Sequence, residues 1–313
     1  MNLGDKIQAL YAKYGSLKGV TVELYKQLIA ISVKNEAASA TIFLQGAQVA
    51  EYKRIGERPV LWLSESCDYK AGKSLRGGIP ICWPWFGDIE RNPDVVKHQI
   101  PQLTSETSIP AHGFVRDQEW ALDSVELIDS ETTQLVLSLE IDASELWPYP
   151  SLLKLTVSVG VELDIKLSVT NTGSETFCFS SALHTYLNLG TVESCEVLGL
   201  EGYEYFDTLD DWRVRKSNRP IAIDKELDQI YSNVVSPVQL KDKQFNRAIT
   251  VTASNAPDLV VWNPWIDKSK RLSHFDDDAY KQMICLETAR LLDNAESLST
   301  GSSIVFGVKL SVN

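Results

Sequence analysis

From Leu153 to Val169 every odd-numbered residue is apolar and every even-numbered residue is polar or glycine. A period of two turns one face of the chain inward and the other toward water, the pattern of an antiparallel sheet with one wet side. A helix would need a period near 3.6, so this run does not fit one. It is also longer than an ordinary strand of roughly 3–10 residues, so a turn must interrupt it. A two-residue turn would swap the parity of the apolar set, because the residues flanking it pair and share a face. The parity is kept here, so an odd loop is predicted at Gly160-Val161-Glu162, with Val159 opposite Leu163. Asn171-Thr172-Gly173 supplies turn residues to close the second strand.

The same period marks further strands at 41–44, 134–141, 248–253, 258–262 and 303–312. In the last, Ile304, Phe306, Val308, Leu310 and Val312 alternate with other residues. Only near the start, at Ile7, Leu10, Tyr11 and Tyr14, does a helical spacing appear. Strands far outnumber helices and no βαβ rhythm is visible. The chain therefore reads as all-β, built from packed antiparallel sheets. No Pro/Gly-rich or low-complexity junction divides it. One domain is expected over residues 1–313, with 1–19 as an N-terminal helical extension.

The formal charge of −12 disfavours nucleic acid and anionic membranes as partners, since both need a basic face. A few arginines could still set a local field for an anionic small molecule. The five cysteines are odd in number and widely spaced, which argues against a disulfide framework or a zinc cluster. The opening residues include Asp5 and Lys6, unlike a secretory leader, and no long apolar run occurs. A cytosolic location is the expectation.

Four segments break the strand pattern: 75–88, 109–120, 180–188 and 262–288. All are rich in Gly, Pro, Trp, His or Arg. Loops on a rigid β scaffold carry function more often than the strands do. They hold three of only four histidines, His112 and His184 beside aromatic or glycine neighbours and His274. Read locally, His184 is equally a half-buried histidine satisfied by a carbonyl. Glu287 stands in the apolar stretch MICLETA, where a buried carboxylate would be costly unless it served a purpose. It could be a base with a raised pKa, or simply an outward strand residue. Arg76 and Arg116 offer planar forks for phosphate or carboxylate, or two surface ion pairs. Trp83, Trp85, Phe86, Trp262 and Trp265 could line a sugar floor or fill a core. No His spacing typical of a metal site is present.

In order and spacing, the stretches RGGIPICWPWFG, HGFVRDQEW, SALHTYLN, VVWNPW and YKQMICLETA resemble the aldose 1-epimerase superfamily, and in particular its hexose-6-phosphate branch. The resemblance runs from about residue 20 to residue 312. It implies a large antiparallel β-supersandwich of the galactose mutarotase-like kind, with a concave sugar site. It implies His184 as the acid and Glu287 as the base. Arg76 and Arg116 are similar to the family's substrate-binding arginines, Asp228 of LDQIY to a sugar contact, and His112 to a site histidine. Trp262 of VVWNPW is expected to contact substrate. One departure is Ala111, which stands where relatives often carry glutamine. The implied reaction is anomer interconversion by ring opening, a redox-neutral proton transfer that calls for no metal or organic cofactor. The expected partner is a small hexose phosphate, bound by a monomer.

Overall fold

The computed structural model describes residues 2–100, 109–235 and 237–313. Among these, every pairing between named strands is antiparallel, and most strands fall into three sheets. A four-stranded sheet runs Val20–Tyr25, Leu28–Lys34, Ala38–Phe43 and Gln48–Arg54 in chain order. A nine-stranded sheet carries the long alternating run between Ser303–Val312, its central strand, and Thr133–Ile141. An eight-stranded sheet places Asp258–Asn263 and Met283–Arg290 side by side in its middle. This is the all-β sheet architecture that the period-two patterns predict.

The odd turn forms as the parity requires. Val159 pairs with Leu163, and the Gly160 N–H donates to the Glu162 carbonyl at 3.1 Å. The Asn171 side chain accepts the Gly173 N–H at 2.9 Å, closing the second strand. All five strands expected elsewhere are present: Ala38–Phe43, Thr133–Ile141, Arg247–Ser254, Asp258–Asn263 and Ser303–Val312.

The N-terminal helix spans Leu3–Tyr14, and Asn2 caps it by accepting the Asp5 N–H. Ile7, Leu10 and Tyr14 pack toward the core, but Tyr11 is 61% exposed. It lies at the edge of the apolar stripe, where a single short helix leaves it in water. The segment 180–188 also departs from expectation. It is two short strands, Ser181–Leu183 and Tyr186–Asn188, interrupted at His184-Thr185. Segments 75–88 and 262–288 likewise contain the strands Ile81–Cys82 and Met283–Arg290. These short or fully buried strands carry no polar alternation to reveal them.

One core cluster draws side chains from Tyr14 through to Val312. The middle strands of the eight-stranded sheet feed it with Leu259, Val261, Ile284 and Leu286. Their alternate residues face away from it, and that second face holds the candidate site. All five cysteines are free. No helix among the described residues is long and apolar enough to cross a membrane.

Candidate active site

Strand register sets the floor of the site. Asp228 pairs with Trp262, Trp262 with Cys285, and Cys285 with Tyr186. The next row runs Phe206, Ile230, Val260 and Glu287. Directly opposite residues share a face, and so do residues two apart on one strand. Asp228, Trp262, Tyr186 and Glu287 therefore look out from one side of the sheet.

His184 reaches the same face from the break in its strand. Its N–H is held by the Pro80 carbonyl at 3.0 Å, and the Thr185 carbonyl accepts the Leu286 N–H at 3.1 Å. The imidazole stacks flat on Tyr186, with ring centroids 4.6 Å apart and planes at 7°. Trp262 meets it edge-on at 6.1 Å. Nε2 of His184 lies 3.5 Å from Oε1 of Glu287. Glu287 is 1% exposed and His184 8%.

Two loops bring the cations. Arg76 precedes Gly77 and Gly78, both at positive φ. A Cβ there would stand 2.5 Å from the Trp62 carbonyl oxygen and 2.3 Å from that of Val49, so only glycine fits. The Arg76 Nε donates to the Ser273 carbonyl at 2.8 Å, which fixes the fork's direction. Arg116 donates to the Ala111 carbonyl at 2.8 Å. Position 111 thus supports the site through its backbone, whatever its side chain. His112 sits at φ 65 in the left-handed region, a conformation that costs energy for a residue with a side chain. Its Nδ1 accepts the Gly87 N–H at 3.2 Å, which places its proton on Nε2.

All seven residues singled out in the sequence line one cavity of about 520 Å³: Arg76, His112, Arg116, His184, Asp228, Trp262 and Glu287. Ala111 lines it too. A larger hollow of about 840 Å³ lies elsewhere, beside Tyr52, Leu61 and Asn188, and contains no histidine. Size alone would favour the larger hollow, but the buried His184 and Glu287 lie in the smaller one.

Burial drives the electrostatics. It pushes the Glu287 carboxyl well above the usual carboxylate range, and the nearby Asp228 adds to this. It pushes His184 well below the usual imidazole range, helped by His112, Arg116 and Arg76. Burial first, then Arg116, Arg76 and Lys268, lowers His112 to about 3, so this ring stays neutral. Asp228 is raised, chiefly by burial, against the pull of Lys268. Glu287 Oε2 and His184 Nδ1 are buried without a hydrogen-bond partner. One donor atom each of His184, Cys285 and Glu287 lies within 4.8 Å of the other two, the only such trio among the described residues.

The aromatic expectation needs correction. Trp83 and Trp85 are 0% exposed and belong to the core. Trp83 packs against Trp147, Phe177 and Phe179, and the Trp85 indole donates to the Pro110 carbonyl. Trp265 packs on Tyr280. Phe86 and Trp262 do line the cavity, joined by Trp212. The sequence reading also missed Tyr186, Arg91, Thr208 and Lys268 on the cavity wall. Tyr186 had a signal, since two residues after His184 in an extended segment shares its face. Lys268 had none, because a short helix at Trp265–Ser269 delivers it. Its Nζ sits 3.3 Å from Glu226 and 3.9 Å from Asp228.

The model of the aldose 1-epimerase family matches residues 30–311, nearly the whole fold that builds this cavity. The chain belongs to that family. A Salmonella typhimurium relative, provisionally named glucose-6-phosphate 1-epimerase, is 32% identical over 263 residues, 82% of each chain. A Haemophilus influenzae relative with the same provisional name is 34% identical over 251 residues, covering 79% of this chain and 80% of its own. The crystal structure of a Salmonella typhimurium protein described as a mutarotase superposes with a TM-score of 0.84 at 28% identity, covering 99% of both chains. The aldose 1-epimerases share the galactose mutarotase-like fold, and the sheets described above are its local form.

Proposed function

We propose that this protein interconverts the α and β anomers of a hexose 6-phosphate, glucose 6-phosphate foremost, with Glu287 as base and His184 as acid. The observation that carries the reading is the 3.5 Å approach of these two buried groups inside a cavity that Arg76 and Arg116 also line. The provisional names of the two relatives point to the same substrate. The continuity of the core from Tyr14 to Val312 supports reading the chain as one domain.

The chemistry needs two proton transfers at one carbon. O1 and the ring oxygen O5 are both bonded to C1, so their acid and base must stand close together. Glu287 takes the O1 proton, and the O–H electron pair forms the C1=O bond. The C1–O5 bond breaks, and its electron pair takes the proton of the His184 imidazolium. Rotation about C1–C2 presents the other face of the aldehyde. Closure then reverses both transfers and restores both groups.

The proton count suits this pair. Neutral imidazole with a protonated carboxyl holds as many protons as imidazolium with carboxylate. Burial favours the neutral form, which is also the form that accompanies the open-chain sugar. Arg76 and Arg116 disfavour the imidazolium. A phosphate dianion bound beside them would offset that field and favour moving the proton from Glu287 to His184. The phosphate then serves as more than a handle. It helps to charge the acid, and it holds the open chain during rotation.

Polarimetry on pure α-glucose 6-phosphate and α-glucose tests the reading. Acceleration of the phosphate ester well beyond that of glucose is expected. Equal acceleration would mean an aldose 1-epimerase indifferent to phosphate. No acceleration of either would leave a sugar binder.

A further inference from the structure

We propose that His184, Cys285 and Glu287 form a binding site for a borderline or soft divalent cation such as Zn²⁺ or Cd²⁺, and that occupancy of this site shuts the acid–base pair off. Cys285 and Glu287 are two apart on the strand Met283–Arg290, so their side chains share the cavity-side face. His184 comes over them from the adjoining segment. The three donor atoms lie within 4.8 Å of one another. The 3.5 Å between His184 Nε2 and Glu287 Oε1 is already near the spacing of two donors on a tetrahedral zinc. With bonds of roughly 2.0–2.1 Å that spacing is about 3.4 Å.

A second observation points to a missing partner. Glu287 is 1% exposed, and its Oε2 has no hydrogen bond. A cation held by both oxygens of this carboxylate would satisfy it. The donor set selects the class of ion. Sulfur with imidazole suits zinc and cadmium, whereas magnesium and calcium prefer all-oxygen sites. His184 and Glu287 line the cavity and Cys285 lies beneath it, so a fourth ligand position opens toward water or a sugar hydroxyl.

The charges balance. The ion displaces one proton from the Cys285 thiol and one from the Glu287 carboxyl, and neutral His184 gives a lone pair. Two anionic donors then cancel the 2+ charge. Arg76 and Arg116 line the same cavity and oppose a bare cation there, but a neutral complex avoids most of that repulsion. Because protons leave, binding weakens as pH falls. Inhibition follows from competition, since the metal would occupy the lone pair and the carboxylate that the sugar needs. That half of the proposal rests on the acid–base roles given above, whereas the binding half does not.

The test uses the full chain. Co²⁺ added to the metal-free protein should give a thiolate-to-metal charge-transfer band that saturates at one equivalent, and Cd²⁺ a thiolate band in the ultraviolet. Both bands should vanish in Cys285→Ser and in Cys285→Ala, the second variant guarding against a folding defect in the first. Zn²⁺ should inhibit the mutarotation of glucose 6-phosphate. Measured against its own metal-free rate, Cys285→Ser should need at least about 10-fold more Zn²⁺ for the same inhibition, the lower end of the loss seen when only a ligand-orienting group is removed. Absence of the thiolate bands in the wild type would overturn the site. Bands that saturate while mutarotation continues unchanged would overturn the shut-off, and with it the acid–base roles of His184 and Glu287.

Discussion

The imidazole of His184 lies flat against the ring of Tyr186 while its Nε2 faces Oε1 of Glu287 at 3.5 Å. The stack sets the ring plane, and the carboxylate lies beside Nε2. Because both groups are buried, each resists charge alone, and each depends on the other to share a proton.

Removing either partner should stop the reaction without unfolding the protein. Glu287→Gln keeps the shape but cannot accept the O1 proton, and His184→Ala cannot protonate O5. A positioned acid or base contributes about 10²–10⁴-fold, so polarimetric rates should fall by about that factor in each variant. The circular dichroism spectrum and melting temperature should stay near wild type. Near-normal rates in either variant would rule out the assigned roles.

Arg76→Ala and Arg116→Ala should discriminate between substrates. A charge-assisted hydrogen bond to phosphate contributes about 1.5–3 kcal/mol, so kcat/KM for glucose 6-phosphate should fall about 10–150-fold. The rate on free glucose should not fall, because no phosphate is held there and loss of a guanidinium eases the charging of His184. Parallel losses on both sugars would place the arginines outside phosphate recognition.

If bound phosphate charges the acid, a detached dianion should do the same. Phosphite added to the wild type should accelerate mutarotation of free glucose, although it is no part of that substrate. Arg76→Ala and Arg116→Ala should abolish the effect. A wild type that processes glucose 6-phosphate but ignores phosphite would confine the phosphate to binding.

His112 links the site to acid stability. Its pKa falls from 6.5 to about 3 on folding, chiefly through burial. Below 6.5 the unfolded chain takes up a proton that the folded chain refuses. Stability should therefore be full above 6.5 and decline as pH falls toward 3. The decline from this one group approaches roughly 1.4 kcal/mol per pH unit. His112→Asn should flatten the pH dependence of the guanidinium midpoint between pH 6.5 and 4. An unchanged slope would mean that His112 does not titrate as placed.

Gly113 holds His112 in position. At φ 68, a Cβ on residue 113 would stand 1.8 Å from the Trp83 carbonyl oxygen. Gly113→Ala combines that clash with a disfavoured backbone, so thermal unfolding should show a loss of at least ~2 kcal/mol. A variant as stable as wild type would show that this contact relaxes freely.

Alternation along the chain was enough to fix the strongly patterned strands and one turn. The parity of apolar residues through Gly160-Val161-Glu162 required Val159 to meet Leu163, and it does. Period two is a local property, fixed by which side of a strand each residue leaves, so no distant contact was needed to read it. The same rule put Cys285 and Glu287 on one face. The resemblance carried by the ordered motifs also named seven of the residues that line the cavity. What they could not supply was depth. Trp83 and Trp85 looked as fit for a sugar floor as Trp262, because burial depends on partners such as Trp147 and Phe177 that no local pattern connects to them. Lys268 and Trp212 reached the cavity only when separate segments folded over the same sheet face. The approach of His184 to Glu287 was also decided there, by a strand that breaks at His184-Thr185 just where Met283–Arg290 passes beside it. Their pKa values follow from that meeting, since burial and neighbouring charge exist only once the sheets have closed around them.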